Sequence, residues 1–118
     1  MKRKKLSRSE RMQVYEKCNS HCAYCGCELE YKDMQIDHVK PLRIGGGDEL
    51  NNMLPACRSC NHYKATLGVE GFREYLAGIE HRLMRDSVPF QVAMRFGIVK
   101  HVRDDVTFYF EKMKEGAV

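Results

Sequence analysis

The stretch Asp37-His38-Val39-Lys40-Pro41, then Gly45-Gly46-Gly47, Asn52-Met53-Leu54-Pro55 and Cys57-Arg58-Ser59-Cys60-Asn61-His62-Tyr63-Lys64, concentrates the chemistry of this chain. Cys22-Ala23-Tyr24-Cys25-Gly26 lies upstream, so a Cys-x-x-Cys knuckle stands on each side of an acid–imidazole pair. Cys22, Cys25, Cys57 and Cys60 supply four thiolates, the number that encloses Zn²⁺ as a tetrahedral structural site. The 31 residues between the pairs exceed the usual ribbon spacing, and a hairpin and loop between them would bring the pairs together. Cys27 is a rival ligand and Cys18 a weaker one; otherwise both are free thiols. Four thiolates leave no open coordination position, so chemistry falls to the hard donors nearby. The Asp37 carboxylate and the Asn61 amide oxygen suit Mg²⁺ or Mn²⁺, which take oxygen ligands and keep waters for exchange with phosphate. His38 is then free to remove a proton from water.

Working outward, 118 residues are most simply one compact domain, small enough to benefit from a structural metal. The net charge of +4 is modest, but basic residues bunch at Lys2-Arg3-Lys4-Lys5 and around Arg58 and Lys64. That distribution favours an anionic partner such as nucleic acid. No apolar run approaches the roughly 20 residues that span a bilayer, and no hydrophobic signal core follows the basic start. A cytosolic protein is expected, and in that compartment Cys-x-x-Cys pairs point to metal ligation rather than disulfides.

Ser7-Arg8-Ser9-Glu10 predicts a capping box and a helix with Met12, Tyr15 and Cys18 as its apolar stripe, ending near Asn19-Ser20. After the first knuckle, alternation predicts a hairpin with arms at Glu28–Tyr31 and Met34–His38, with Met34 and Ile36 inward and Gln35 and Asp37 outward. Pro41 ends the second arm. Arg43 to Asn51 reads as a glycine-rich surface loop without the Lys-Ser/Thr pair of a phosphate-binding loop. A short helix is predicted from Asn61 to about Leu67. A longer one, about Glu70 to Arg85, carries Phe72, Tyr75, Leu76, Ile79 and Leu83. Pro89 opens another short helix that Gly97 ends. Val106, Phe108 and Phe110 alternate with polar neighbours as a half-buried strand. The tail after Val88 is either part of the same core or a dimer contact.

The ordered set Asp37-His38-Val39-x-Pro41, glycine-rich turn, Asn52 and Cys57-x-x-Cys60-Asn61-x-x-Lys64 resembles the zinc-containing HNH endonucleases of phages and bacteria. The resemblance covers roughly Arg11 to Lys64 and continues faintly through Leu67–Arg73 and Phe108–Glu111. It implies an α+β fold with a ββα-metal core (about 11–67) stapled by a four-cysteine zinc site, and a helical and strand extension (68–118). It further implies that His38 is the general base against a DNA phosphodiester. Asp37 and Asn61 are then the ligands of a catalytic Mg²⁺ or Mn²⁺, and Asn52 braces the loop. Asn61 stands where the family name has histidine, and His62 beside it is the alternative ligand. Phage-type resemblance also suggests partners among DNA-packaging terminase and portal proteins.

Arg43 and Arg58 flank the site as candidate DNA-backbone contacts, and Lys64, one turn past Asn61, is a further one or else a solvated side chain. His21, His81 and His101 read as surface or supporting residues, and Asn51 as a turn residue. The competing function is a non-catalytic zinc module that binds DNA or protein. Redox chemistry is disfavoured because no thioredoxin-like βαβ pattern surrounds the cysteine pairs. A monomer with one active site would nick DNA, whereas a dimer could cut both strands.

Overall fold

In the computed structural model, residues 5–116 are described. The basic run Lys2-Arg3-Lys4 lies outside them. Chain packing divides into two compact units, Met1–Val69 with Thr107–Val118, and Glu70–Val106.

The first unit begins with α1 (Arg8–Glu16), opened by the expected capping box: the Ser7 hydroxyl accepts from the Glu10 N–H, and the Glu10 carboxylate from the Ser7 N–H. Its one buried residue is Val14; of the expected stripe, Met12 and Tyr15 are half-buried, and Cys18 is buried in the turn beyond the helix end. α1 stops at Glu16, short of the expected end near Asn19-Ser20, and those two residues follow in a turn, both at positive φ. Three side chains then fasten α1 to the rest of the unit. Arg11 donates to the Met34 carbonyl (2.6 Å), Tyr15 to that of Leu29 (2.6 Å), and Lys17 to that of Met53 (2.7 Å).

The two-stranded antiparallel sheet differs from the expected hairpin. β1 (Gln35–His38) pairs with β2 (Met53–Ala56), in register Asp37 to Leu54 and His38 to Met53. Residues 31–33 form a 3₁₀ turn instead of a tight β-turn, and Glu28 bridges back to His21. The second knuckle draws β2 across to β1, so a long loop connects the strands. Val14, Leu29, Met34 and Met53 make the core beneath them.

α2 (Arg58–Lys64) starts three residues earlier than predicted because Cys57 is its N-cap, its sulfur accepting from the Cys60 N–H at 3.3 Å. A thiol here takes the place that Ser, Thr, Asp or Asn usually fills. The predicted C-terminal strand is also corrected: residues 109–114 form α6 (Tyr109–Lys114). The Glu111 carboxylate accepts from the Phe108 N–H at 2.9 Å, and Glu-Lys-Met-Lys are good helix formers. Strand-like alternation over five residues was outweighed by that start signal. The first free N–H groups of α6, from Tyr109 and Phe110, donate to the Tyr24 and Ala23 carbonyls at 3.1 and 2.9 Å, which docks the helix on the first knuckle.

In the second unit, α3 (Val69–Ala77) and α4 (Ile79–Asp86) replace the single helix expected from Glu70 to Arg85, divided at Gly78. α5 (Val88–Arg95) has Pro89 in its first turn and Gly97 beyond its end at φ +71°, as expected. No helix among the described residues is long and apolar enough to cross a membrane.

Candidate active site

The four knuckle sulfurs of Cys22, Cys25, Cys57 and Cys60 lie within 4.8 Å of one another, and Cys25 to Cys57 measures 3.9 Å. A tetrahedral zinc–thiolate site has sulfurs about 3.8 Å apart, so the set fits such an ion. The backbone prepares the cradle: the Cys57 N–H donates to the Cys22 sulfur at 3.3 Å, and the Gly26 N–H closes the first knuckle on the Cys22 carbonyl at 3.0 Å. The Cys60 thiol and the backbone amides of Cys57, Tyr24 and Cys25 pull the Cys22 pKa down, while the same shared hydrogen bond and burial push that of Cys60 up. Cys27, exposed, and Cys18, buried, stand outside the tetrad, and burial pushes the Cys18 thiol up to about 11.

β1 carries Asp37 and His38 into the protein, and both are buried, at 3% and 5% exposure. The outward Asp37 expected from strand alternation is thus corrected: β1 lies between α2 and the loop, so both faces are covered. Tyr24 donates a short hydrogen bond to Asp37 Oδ2, and Lys64 Nζ donates to Oδ1 at 3.1 Å and to the His38 carbonyl at 3.1 Å. Burial pushes the Asp37 carboxyl upward, against the opposing pull of Tyr24 and Lys64. Burial and the adjacent carboxylate push the Tyr24 phenol well up, so it remains a proton donor.

Lys64 is 0% exposed, and its ammonium is committed to Asp37 and the His38 backbone. This overturns its reading as a solvated side chain or phosphate contact. On α2, Asn61 and Lys64 are three residues apart and share a face. Asp37, His38 and Asn61 line one cleft of about 300 Å³ together with Pro41, Leu42, Arg43, Ala65 and Thr66. His62 is exposed and is not among the cleft residues. Arg43 is exposed at the cleft, where it reaches the Thr66 carbonyl at 3.5 Å; Arg58 is exposed in the first turn of α2.

Asn52 ties the loop between the strands. Its amide nitrogen donates to the Lys40 and Gly47 carbonyls at 2.9 and 2.8 Å, and its oxygen accepts from the Lys40 N–H at 3.0 Å. The loop is drawn so tight that a Cβ on Gly46 would sit 1.8 Å from the Lys40 carbonyl oxygen. At its end Asp48 Oδ1 meets His38 Nε2 at 2.8 Å. His38 Nδ1 is buried without a hydrogen-bond partner. Sequence reasoning gave Asp48 no role beyond the surface loop and gave Tyr24 none. The distances that recruit them are tertiary, and no local motif marks either.

Residues 22–66 match the family described as HNH endonuclease. This segment is an HNH domain. It is similar to the CRISPR-associated endonuclease Cas9 of Corynebacterium diphtheriae, at 34% identity over 56 residues, 46% of this chain and 5% of the relative. It is also similar to the Septu protein PtuB of Bacillus thuringiensis, at 35% identity over 60 residues, 48% of this chain and 23% of that protein. The chain therefore spans only a small part of the curated relatives it matches. Among solved structures, the Type II-C Cas9 enzyme of Actinomyces naeslundii superposes with TM-score 0.53 at 25% identity, over 64% of this chain and 9% of that one. The HNH domain thus has a nuclease family's sequence, a small α+β fold and a cysteine tetrad able to hold a metal ion.

Proposed function

We propose that the HNH domain hydrolyses DNA phosphodiester bonds, with His38 as general base and Asp37 and Asn61 as oxygen ligands of a Mg²⁺ or Mn²⁺ ion. The observation that carries this reading is the convergence of these three residues on one cleft. A carboxylate and an amide oxygen suit a hard cation that retains exchangeable positions for water and phosphate. When bound, such an ion supplies charge stabilisation for the phosphorane-like transition state and the departing 3′ oxygen.

The chain's own residues do the rest. His38 takes a proton from water as the water oxygen bonds to phosphorus. The bond from phosphorus to the 3′ oxygen breaks, and that oxygen is protonated from solvent, leaving 3′-hydroxyl and 5′-phosphate ends. Lys64 and Tyr24 hold the Asp37 carboxylate at the cleft wall, and Asn52 holds the loop that closes over His38. Exposed Arg43 and Arg58 meet the DNA backbone, which they position without reading its sequence. The cysteine tetrad holds Zn²⁺ as a structural ion. A cytoplasmic setting in phage or prophage DNA processing, beside terminase and portal, belongs to the same reading.

The test is conversion of supercoiled plasmid at neutral pH by the zinc-loaded chain with Mg²⁺ or Mn²⁺. The expected result is cleavage abolished by EDTA and reduced about 10²- to 10⁴-fold in His38→Ala, the range for loss of a general base. Cleavage by His38→Ala at the unaltered rate overturns the assignment. A folded, zinc-loaded protein that cuts with neither metal favours the non-catalytic binding module.

A further inference from the structure

His38 lines two cavities. One is the cleft shared with Asp37 and Asn61; the other, about 280 Å³, is lined by Asp48, Arg11, Met34 and Gln35 among others. Asp48 lies on the second side, 2.8 Å from Nε2. An ionised carboxylate only accepts hydrogen bonds, so a neutral His38 must carry its proton on Nε2 to make this contact. The lone pair then resides on Nδ1, the one buried side-chain nitrogen or oxygen found without a partner among the described residues. Leaving such an atom unpaired is costly, and a catalytic role is one of the reasons for which folds keep such groups.

From this geometry we propose that Asp48 is a positioning residue that locks His38 in the Nε2–H tautomer and aims the Nδ1 lone pair at the attacking water. The inference rests on the hydrolytic reading above and deepens it. The carboxylate also accepts charge-assisted hydrogen bonding from the imidazolium formed when Nδ1 takes the proton, so it acts more strongly after proton transfer than before. Asn52 belongs to the same device: its amide fixes the Gly47 carbonyl at 2.8 Å, one residue before Asp48. The tight turn at Gly46 limits how far that residue can swing. A chain of hydrogen bonds thus runs from Asn52 through the loop backbone to Asp48 and the base.

The first measurement is the ¹⁵N spectrum of the His38 ring in the zinc-loaded full chain without Mg²⁺ or Mn²⁺, at a pH where the shifts show a neutral ring. The expected result is a protonated Nε2 and an unprotonated Nδ1 in the wild type, and an averaged or reversed pair in Asp48→Ala. A wild-type ring protonated on Nδ1, or an Asp48→Ala ring still locked as Nε2–H, overturns the proposal whether or not the chain cuts DNA. On plasmid substrate, Asp48→Asn is expected to lower kcat about 10- to 100-fold with KM within about twofold, and Asp48→Glu to recover part of the loss. Full kcat in a folded Asp48→Asn protein overturns it as well.

Discussion

The two units of this chain handle charge in opposite ways. In the first, ionisable groups are buried and paired: Lys64 at 0% exposure against Asp37 at 3%, and His38 at 5% against Asp48. In the second, Phe72 is the one buried residue between positions 70 and 106, and ion pairs such as Arg85 with Asp86 lie in solvent. Apolar side chains there, including Val88, Phe96, Ile98 and Val102, are exposed as well. Buried pairs are expensive to assemble and severe to break, whereas surface pairs are screened and contribute little. The candidate site therefore lies where the fold holds charges away from water.

Metal removal gives the largest test of that contrast. Chelating zinc from the tetrad should unfold the first unit, since structural zinc contributes about 10–16 kcal/mol in small domains. Amide dispersion by NMR reads this directly, and a well-dispersed metal-free spectrum for residues 22–60 would break the comparison.

Next in size is Lys64→Met, expected to cost about 3–5 kcal/mol in denaturant unfolding because the Asp37 charge is left buried with only Tyr24 beside it. The sign with pH follows from the Asp37 carboxyl, already raised by burial and raised further once the ammonium is gone. Protonation removes the stranded charge, so the penalty should be greatest in alkaline solution and shrink as pH falls. A penalty that grows on acidification would contradict the pairing.

Two glycines sharpen the contrast at smaller scale. Gly46→Ala drives a Cβ to 1.8 Å from a backbone carbonyl that cannot move without breaking the Asn52 ties, so a loss above about 2 kcal/mol is expected. Gly78→Ala meets the Arg82 guanidinium at 2.6 Å, a side-chain end that can shift at the expense of its bond to the Tyr75 carbonyl, so a smaller loss, of about 1 kcal/mol or less, is expected. Paired thermal melts of the two variants decide it.

Smallest is the His101 clasp to Asp104 and Glu80, whose hydrogen bonds raise the imidazole pKa above its usual value. A raised histidine stabilises fully below its unfolded pKa near 6.5 and loses that contribution as pH rises through the higher folded value. The second unit should therefore loosen slightly above neutrality, visible as faster amide exchange around residues 101–104; faster exchange on acidification would reverse the sign.

Much of the site was legible because its residues carry rare chemistry at fixed spacing. Two Cys-x-x-Cys pairs around an Asp-His step and an Asn announce a tetrad and a hard-donor cleft without any knowledge of the path between them. Fold details that depended on weak local signals fared less well. The tail from Val106 to Glu111 alternates like a strand, but the Glu111 cap and docking on the first knuckle make it a helix. The hairpin expected before Asp37 is absent because the partner of β1 comes from beyond the loop, where the second knuckle delivers it.

By itself, then, the sequence determined which side chains make up the candidate site: four thiols that cluster, and one carboxylate, one imidazole and one amide that share a cleft, all singled out from side-chain chemistry and order alone. Tertiary structure alone decided how those side chains are held. Lys64 looks like any surface lysine until α2 turns it inward to Asp37, and Asp48 looks like a loop residue until the turn at Gly46 brings it to His38. Their roles depend on distances across 27 and 10 residues of chain, which local spacing does not encode and packing does.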